Sequence, residues 1–179
     1  MQTLPDLLAP ELDIVSIGLN PSLPSVRAGF YFANPRNRFW AALNDSGLVG
    51  ESLQPGAAAI ELLFRVHRIG WTDVVKRSTA GASGLRAADF RRDAPLLGEK
   101  LCRYQPRIAW FHGKLASRYF LQYSGVAEGE VVWGEQAWRI GASRVFVTPN
   151  PSPANAAYSL NDLIDHYREL ARLRDELRR

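Results

Sequence analysis

Short apolar runs alternate along the chain with longer segments of helical periodicity. The runs predict buried strands, because they span only a few residues and several of them end at Gly, Asn or Pro. They are residues 12–19, 107–112 and 144–148, with 69–75 as a short strand or extended segment. The periodic segments predict helices over 36–46, 54–68, 86–104 and 114–123, and from Ser159 onward. Strands that alternate with helices predict an α/β fold with a mainly parallel sheet.

The connections between these elements carry predictions of their own. Residues 20–34 form an unusually long strand-to-helix loop, and loops of this kind are often functional. Pro35 predicts the start of the next helix, whereas Pro95 either begins a fresh helix or kinks the one that contains it. Residues 131–140 are compatible with a strand or a hairpin. There is no internal repeat or linker, so residues 1–179 are expected to form a single domain.

Composition narrows the possible classes of protein. With 46% apolar and 22% charged residues, the chain is typical of a globular protein, and its net charge of +4 is compatible with nucleic acid without requiring it. Cys102 is the only cysteine, and His67, His112 and His166 lack metal-ligand spacing, so we expect no metal and no iron–sulfur cluster. We also expect no other cofactor. No apolar run is long enough to span a membrane, and the first residues lack the basic region of a signal peptide. We therefore expect a cytoplasmic protein.

Two predicted strands end in similar rigid turns. The first strand runs into Gly18–Ser22 (GLNPS), and the last runs into residues 149–153 (PNPSP). Because ligands of open α/β sheets bind at the carboxyl ends of strands, these turns would meet at one cleft, with Asn20 at its rim. Each turn taken alone is also explained as an ordinary Asn-Pro turn. Neither a dinucleotide-binding nor a phosphate-loop motif is present, which counts against a small-molecule enzyme of those types.

The Gly-Leu-Asn-Pro turn is followed along the chain by residues 29–40 (GFYFANPRNRFW) and then by the Asn-Pro-Ser of the second turn. These three blocks, in this order, resemble the uracil-DNA glycosylase superfamily, and most closely its mismatch-specific G:T/U (Mug/thymine-DNA glycosylase) branch. Residues 70–77 resemble a further segment of that branch. The resemblance covers residues 12 to about 167 and implies a three-layer α/β/α fold with a central, mainly parallel sheet.

The resemblance implies a monofunctional hydrolase that flips a pyrimidine out of DNA and cleaves its N-glycosidic bond. Asn20 would hold the attacking water, although its neutral amide is not a base. Phe32 would stack on the flipped base, and Ser25 would lie beside it. Backbone N–H groups near Leu19 and Asn20 would stabilise the departing base. The remaining substrate-binding positions implied by the two motifs are Gly18 and Asn150.

A carboxylate would assist if it reached the water, and neither motif contains one. Asp73, Asp89 and Asp93 are the candidates in the middle of the chain, and each is also explained as a helix-end or surface acid. Basic residues of the same region are expected to contact phosphates, or else to form a merely solvated surface. They are Lys76, Arg77, Arg86, Arg91 and Arg92.

The second motif departs from the family pattern. After Ser152 the chain continues Pro153-Ala154-Asn155, without the family's arginine and with Ala154 as a poor wedge. Asn155 would hydrogen-bond an orphaned base, and Tyr158 would intercalate. A weak wedge makes flipping of well-paired bases harder, which leaves duplex preference open.

We therefore expect a monomeric, nucleoid-associated repair enzyme that acts on uracil in G:U mismatches of double-stranded DNA. Thymine opposite guanine is a weaker candidate, because a methyl group changes discrimination by only about 1–3 kcal/mol. The alternatives are a single-strand-selective type of uracil glycosylase, whose second motif is typically His-Pro-Ser-Pro-Arg, and a non-catalytic DNA-binding homologue.

Overall fold

A computed structural model describes all residues, 1–179. A five-stranded sheet has the order β2-β1-β3-β5-β4, with four parallel strands and the short β4 antiparallel to β5. The strands are β1 (Ile14–Gly18), β2 (Ile69–Asp73), β3 (Ile108–His112), β4 (Gly134–Glu135) and β5 (Arg144–Thr148). The helices are α1 (Leu23–Ala28), α2 (Phe39–Ser46), α3 (Ala57–Arg65), α4 (Ala87–Tyr104), α5 (Lys114–Ser124) and α6 (Leu160–Arg178), with a 3₁₀ turn at Ala82–Gly84.

Two apolar cores separate the helices into layers on opposite faces of the sheet. One core joins residues of α2, α3 and α6 to side chains such as Ile14, Trp71 and Trp110. The other joins α4 and α5 to the alternate strand positions, among them Val15 and Phe111. Because successive strand residues point to opposite faces, β1, β3 and β5 each supply both cores, whereas β2 supplies only the first, through Ile69 and Trp71. The predicted three-layer α/β/α architecture with a mainly parallel sheet is confirmed.

The chain leaves β1 towards β2 on one side, while β3 lies on the other side of β1. Ligand clefts of open α/β sheets form at such a switch point, outside the carboxyl ends of the strands. The turn at Gly18–Ser22 follows β1, and the turn at 149–153 follows β5, so both predicted turns lie at this edge. No helix is both long and apolar enough to span a bilayer.

Three local predictions were wrong or incomplete, and one of two alternatives at Pro95 is excluded. Residues 20–34 are not a continuous loop, because Ser22 caps the short helix α1 by accepting a hydrogen bond from the Ser25 N–H at 3.2 Å. Pro35 does not start a helix; it lies inside a turn closed by the Asn34 side chain, which accepts from the Arg36 N–H, and α2 begins only at Phe39, whose N–H donates to the Asn37 side chain. Residues 131–140 contribute only the two residues of β4 to the sheet. Pro95 lies inside α4, which continues through it without interruption, so no fresh helix begins there.

Candidate active site

A cleft of about 610 Å³ lies at the switch point, a volume within the range of small-ligand sites. Both predicted turns line it, together with residues of α1, the segment between α1 and α2, and residues 79–82. Its floor is formed where the strands end. The register pairs Gly18 with Asp73 on one side of β1 and His112 with Thr148 across β3 and β5. A Cβ at residue 18 would overlap Oδ1 of Asp73, so glycine permits this close approach and any larger residue would displace the Asp73 carboxyl group.

The Asn20 side chain is fixed in one orientation. Its amide nitrogen donates to the carbonyl of Arg77 at 2.9 Å and to Oγ1 of Thr79 at 2.8 Å. The Thr79 hydroxyl proton is already used, because Oγ1 donates to the Gly81 carbonyl at 2.7 Å. Both partners therefore accept, and the amide must present its NH₂ group to them. The amide oxygen accepts no hydrogen bond from the protein, which leaves it available to a water or a substrate in the cleft.

Phe32 provides an aromatic surface in the same cleft. Its ring stacks on Phe39 with centroids 4.3 Å apart, and Trp40 donates its indole N–H to the Phe32 carbonyl at 3.0 Å. The backbone of Phe32 has φ of 58°, a conformation that costs a non-glycine residue about 1–3 kcal/mol. Packing and the indole hydrogen bond hold this strained residue at the cleft, where a planar base can stack on it.

Asp73 is the only carboxyl group that lines the cleft, and only 4% of the residue is exposed. Its Oδ2 is buried without a hydrogen-bond partner, and the nearest cation is Lys76, whose Nζ is 4.0 Å away. Burial raises the pKa of Asp73 to about 7; Lys76 lowers it and Asp6 adds to the rise. A carboxyl group with this pKa can exchange a proton near neutral pH.

The other two candidate acids, Asp89 and Asp93, do not line the cleft. Asp89 accepts from Arg77 at 2.7 and 3.0 Å, and this pairing lowers its pKa to about 2. Asp93 accepts from Arg92 at 2.7 Å and from the Lys76 N–H at 2.9 Å. Their hydrogen bonds organise the start of α4 and the loop after β2, and both carboxyls are engaged there instead of at the Asn20 oxygen.

The predicted phosphate contacts are partly neutralised within the protein. Lys76 donates to Asp6 at 2.7 Å, and Arg77 and Arg92 pair with the two acids described above. Arg91 is exposed and forms no ion pair; its guanidinium lies 5.9 Å from the centre of the Tyr123 ring. Arg86 supplies the N-cap of α4 and pairs with no carboxylate through its side chain. Arg91 and Arg86 are therefore the candidates of this set whose charge is uncompensated.

Ser25 and the second turn also lie where the sequence places them. Ser25 is buried in the cleft wall, where its hydroxyl accepts from Ser22 at 2.9 Å and from the Ala33 N–H at 3.1 Å. Asn150 accepts from the Ser152 N–H at 2.9 Å, which shapes the turn. Cleft-lining residues of the two motifs include Gly18, Leu19, Asn150, Ser152, Pro153, Ala154 and Asn155. Tyr158 lies outside the cleft lining, with its ring 5.2 Å from that of Trp133.

Two features of the site have no counterpart in the sequence reasoning. Arg38 anchors the second turn: its guanidinium donates to the carbonyls of Ser152, Asn155 and Tyr158. His112 lines the cleft floor, whereas its sequence context predicts only a strand residue without metal-ligand spacing. Its position as the last residue of a buried strand was the available signal, because that is where a parallel sheet exposes side chains to a ligand. No three His, Cys, Asp or Glu side chains cluster as metal ligands would.

Comparison with known proteins agrees with this geometry. The model of the "Uracil DNA glycosylase superfamily" matches residues 5–175. The solution NMR structure of a "putative Uracil DNA glycosylase" from Methanosarcina acetivorans is similar, with a TM-score of 0.65 and 24% identity over 96% of this chain and 97% of the other. The structural likeness concerns the fold, whereas the family match covers nearly the whole sequence, including both turns of the cleft. The chain belongs to the uracil DNA glycosylase superfamily.

Proposed function

We propose that the protein is a monofunctional DNA glycosylase that removes uracil from G:U mismatches, and thymine from G:T mismatches more slowly. One observation carries the proposal. The Asn20 amide is locked by two acceptors so that its oxygen stays free, in a cleft that also contains the Phe32 ring and the Asp73 carboxyl group. Family membership supports uracil glycosylase activity in general, and the resemblance of the motifs to the mismatch-specific branch supports the finer assignment.

The proposed reaction begins with a nucleotide turned out of the helix, so that its base enters the cleft and stacks on Phe32. The Asn20 oxygen accepts a hydrogen bond from a water and holds it next to C1′. As the bond between C1′ and the base breaks, its electron pair leaves with the base. The same amide oxygen, the negative end of a fixed dipole, stabilises the positive charge that develops on the sugar. The water oxygen then bonds to C1′, leaving an abasic site.

Asp73 is proposed as the proton acceptor in this step. The water loses a proton as it bonds to C1′, and the departing base anion must gain one. A carboxylate with a pKa of about 7 can take the proton from the water and pass it to the base. Asp89 and Asp93 then act only indirectly, by ordering the loop whose carbonyl at Arg77 holds Asn20.

Double-stranded DNA is the proposed partner, bound by a monomer at the edge of the sheet that carries both turns, and a DNA substrate would place the protein at the nucleoid. Arg91 and Arg86 are the proposed phosphate contacts with uncompensated charge. Such contacts provide affinity without sequence information. Pro153 and Ala154 are exposed at the cleft rim and would be the residues closest to the gap left by the flipped base.

A second candidate function has one observation in its favour. The rim of the cleft offers only Pro153 and Ala154 as a wedge, while the Tyr158 ring packs beside Trp133. Without a large wedge, the unpaired uracil of a single strand is the easier substrate, since no base pair must be broken. This favours a single-strand-selective uracil glycosylase as the alternative.

Alkali cleavage of end-labelled oligonucleotides separates these functions. The substrates are G:U, A:U and G:T duplexes and a single strand with uracil, and Asn20→Ala is the inactive control. The proposal predicts the order G:U above A:U, with slow cleavage of G:T. Faster cleavage of the single strand than of G:U would favour the alternative. Salt-sensitive DNA binding without cleavage of any substrate would contradict both and indicate a non-catalytic DNA-binding protein.

A further inference from the structure

The first residues of the chain lie along the outer edge of β2 and along the loop that follows it. Leu7 and Trp71 exchange both of their backbone hydrogen bonds, each 2.9 Å long, so this segment pairs with β2 as a short antiparallel addition to the sheet. Towards the N-terminus, the carbonyl of Gln2 accepts from the Ser78 N–H at 3.2 Å. We call residues 2–7 the N-terminal strap, because they bind both the strand and the loop beside the cleft.

Asp6 is the residue of the strap at which three other elements meet. Its Oδ1 accepts from the Thr72 hydroxyl of β2 at 2.7 Å and from Nζ of Lys76, in the loop after β2, at 2.7 Å. Its Oδ2 accepts from Nζ of Lys100, on α4, also at 2.7 Å. Burial raises the pKa of Asp6, but the two ammonium groups outweigh this effect and bring the pKa below its usual value. Asp6 is therefore ionised at neutral pH.

The Lys76 ammonium lies between two carboxyl groups and contacts only one of them. Its Nζ is 2.7 Å from Oδ1 of Asp6 but 4.0 Å from Oδ2 of Asp73, an oxygen that has no hydrogen-bond partner. A direct ion pair would bring this nitrogen to about 2.7–2.9 Å from the oxygen. Neither Asp6 nor Lys76 lines the cleft, so any influence of this pair on the reaction must pass through Asp73.

We propose that Asp6 is a positioning residue of the reaction, which holds the Lys76 ammonium at the strap and keeps it out of hydrogen-bonding contact with Asp73. The inference rests on the proposed glycosylase function, in which Asp73 accepts the proton of the attacking water. A carboxylate in direct contact with an ammonium group is a weaker base, because the opposite charge favours its ionised form. The strap therefore preserves the basicity of the group that takes the proton.

The other titratable groups of the cleft do not take the place of Lys76. Besides Asp73, the cleft is lined by only two titratable side chains, His112 and Tyr31. Burial lowers the pKa of His112 to about 3, whereas burial and nearby carboxylates raise that of Tyr31, so both rings are neutral near pH 7. The remaining charged groups that contact Lys76 or its partner are Asp6, Lys100 and Asp93, of which Asp93 accepts from the Lys76 backbone N–H.

The test is the dependence of single-turnover uracil excision on pH, over about pH 5 to 9, in two variants of opposite effect. Asp6→Asn retains an oxygen for the Thr72 hydroxyl but removes the charge that holds Lys76. The released ammonium can then approach Asp73, so the midpoint of the rise in rate should fall by about one pH unit or more. At pH 6, the rate relative to its plateau should be about fivefold higher than in wild type. Lys76→Met removes the ammonium and should move the midpoint to higher pH.

Asp13→Asn is the matched control for the loss of a buried ion pair. Asp13 is 2% exposed and pairs with Arg107 and Arg178, but it precedes β1 at the end of the sheet opposite the cleft. Its replacement should destabilise the protein and leave the midpoint at the wild-type pH. If Asp6→Asn lowered the rate equally at every pH, as a merely loosened loop would, the inference would be overturned while the glycosylase function stands. A midpoint that moves to higher pH would overturn it as well.

A second measurement does not depend on catalysis. Titration of the side-chain carboxyl carbons of ¹³C-labelled full-length protein by NMR reports the pKa of Asp73, whose signal is assigned by its loss in Asp73→Asn. We expect this pKa to fall in Asp6→Asn, to rise in Lys76→Met and to stay unchanged in Asp13→Asn. Equal values in wild type and Asp6→Asn would contradict the positioning role, whatever the rates are. The expected shifts in a protein that cleaves no uracil substrate would support the control of Lys76 by Asp6 and contradict the proposed function.

Discussion

Replacement of Asp73 by asparagine is expected to stabilise the protein and to reduce its activity. The carboxyl group is buried, its Oδ2 has no hydrogen-bond partner, and its pKa rises from 3.8 to about 7 on folding. Because the folded state binds this proton more tightly than the unfolded state, the free energy of unfolding is highest below the unfolded pKa. It falls as the pH rises to the folded pKa. At about 1.4 kcal/mol per pH unit, the ionised group costs roughly 4 kcal/mol above pH 7.

Asparagine is nearly isosteric and carries no charge, so it avoids this cost. The Lys76 ammonium 4.0 Å away favours the carboxylate, and its loss as a partner reduces the gain. We therefore expect Asp73→Asn to raise the free energy of unfolding by about 2–4 kcal/mol at pH 8 and by almost nothing at pH 4. Urea denaturation at several pH values measures this difference directly.

Asp45→Asn is the matched control, because Asp45 is exposed on α2 and forms no ion pair. Its effect on stability should be small at every pH. An Asp73→Asn variant that is no more stable than wild type at pH 8 would refute the reasoning, because it would mean that the buried carboxylate is adequately compensated. A gain that does not depend on pH would also contradict it, since only ionisation of Asp73 is invoked.

Three further predictions concern the same cleft. If Asp73 accepts a proton, uracil excision should rise with pH through about 7, and Asp73→Asn should flatten this profile; a wild-type rate that falls over pH 6–8 would exclude that role. Phe32→Ala should weaken binding of an uncleavable uracil analogue by roughly 5- to 100-fold, since stacking of a base contributes about 1–3 kcal/mol. Phe64→Ala, outside the cleft, is the control, and equal affinities of the two variants would show that no base stacks on Phe32. Arg38→Met should lower the free energy of unfolding by about 1.5–3 kcal/mol and raise the rate of hydrogen exchange over residues 152–158, because three loop carbonyls lose a charged donor. Unchanged exchange rates would contradict the role of Arg38 as the anchor of this loop.

The sequence was sufficient to predict the layers and the edge of the sheet that carries the site. Runs such as 144–148 are short, apolar and followed by Pro-rich turns, and the structure places a strand at those residues. The short helix α1 was missed because its six residues hold only weak periodicity. Its signal is local instead, a serine cap followed by proline and closed by Gly29.

Side-chain partners across the fold could not be predicted from sequence. Arg77 and Asp89 are twelve positions apart and belong to a loop and a helix, so only the tertiary structure shows that they neutralise each other. Arg38 anchors a turn that lies more than 100 residues later in the chain. Burial without a partner, the property that distinguishes Asp73 from the chain's other acids, depends on every element that packs around the cleft.

Single-turnover excision of uracil by Asn20→Ala tests the central claim most directly. Asn161→Ala serves as the control, because Asn161 is exposed on α6 and its side chain forms no hydrogen bond within the protein. If the fixed Asn20 oxygen positions the water and stabilises the charged sugar, its loss should slow excision by about 100-fold or more, while binding of an uncleavable uracil duplex is nearly retained. Excision by Asn20→Ala at a rate close to that of wild type and Asn161→Ala would contradict the account.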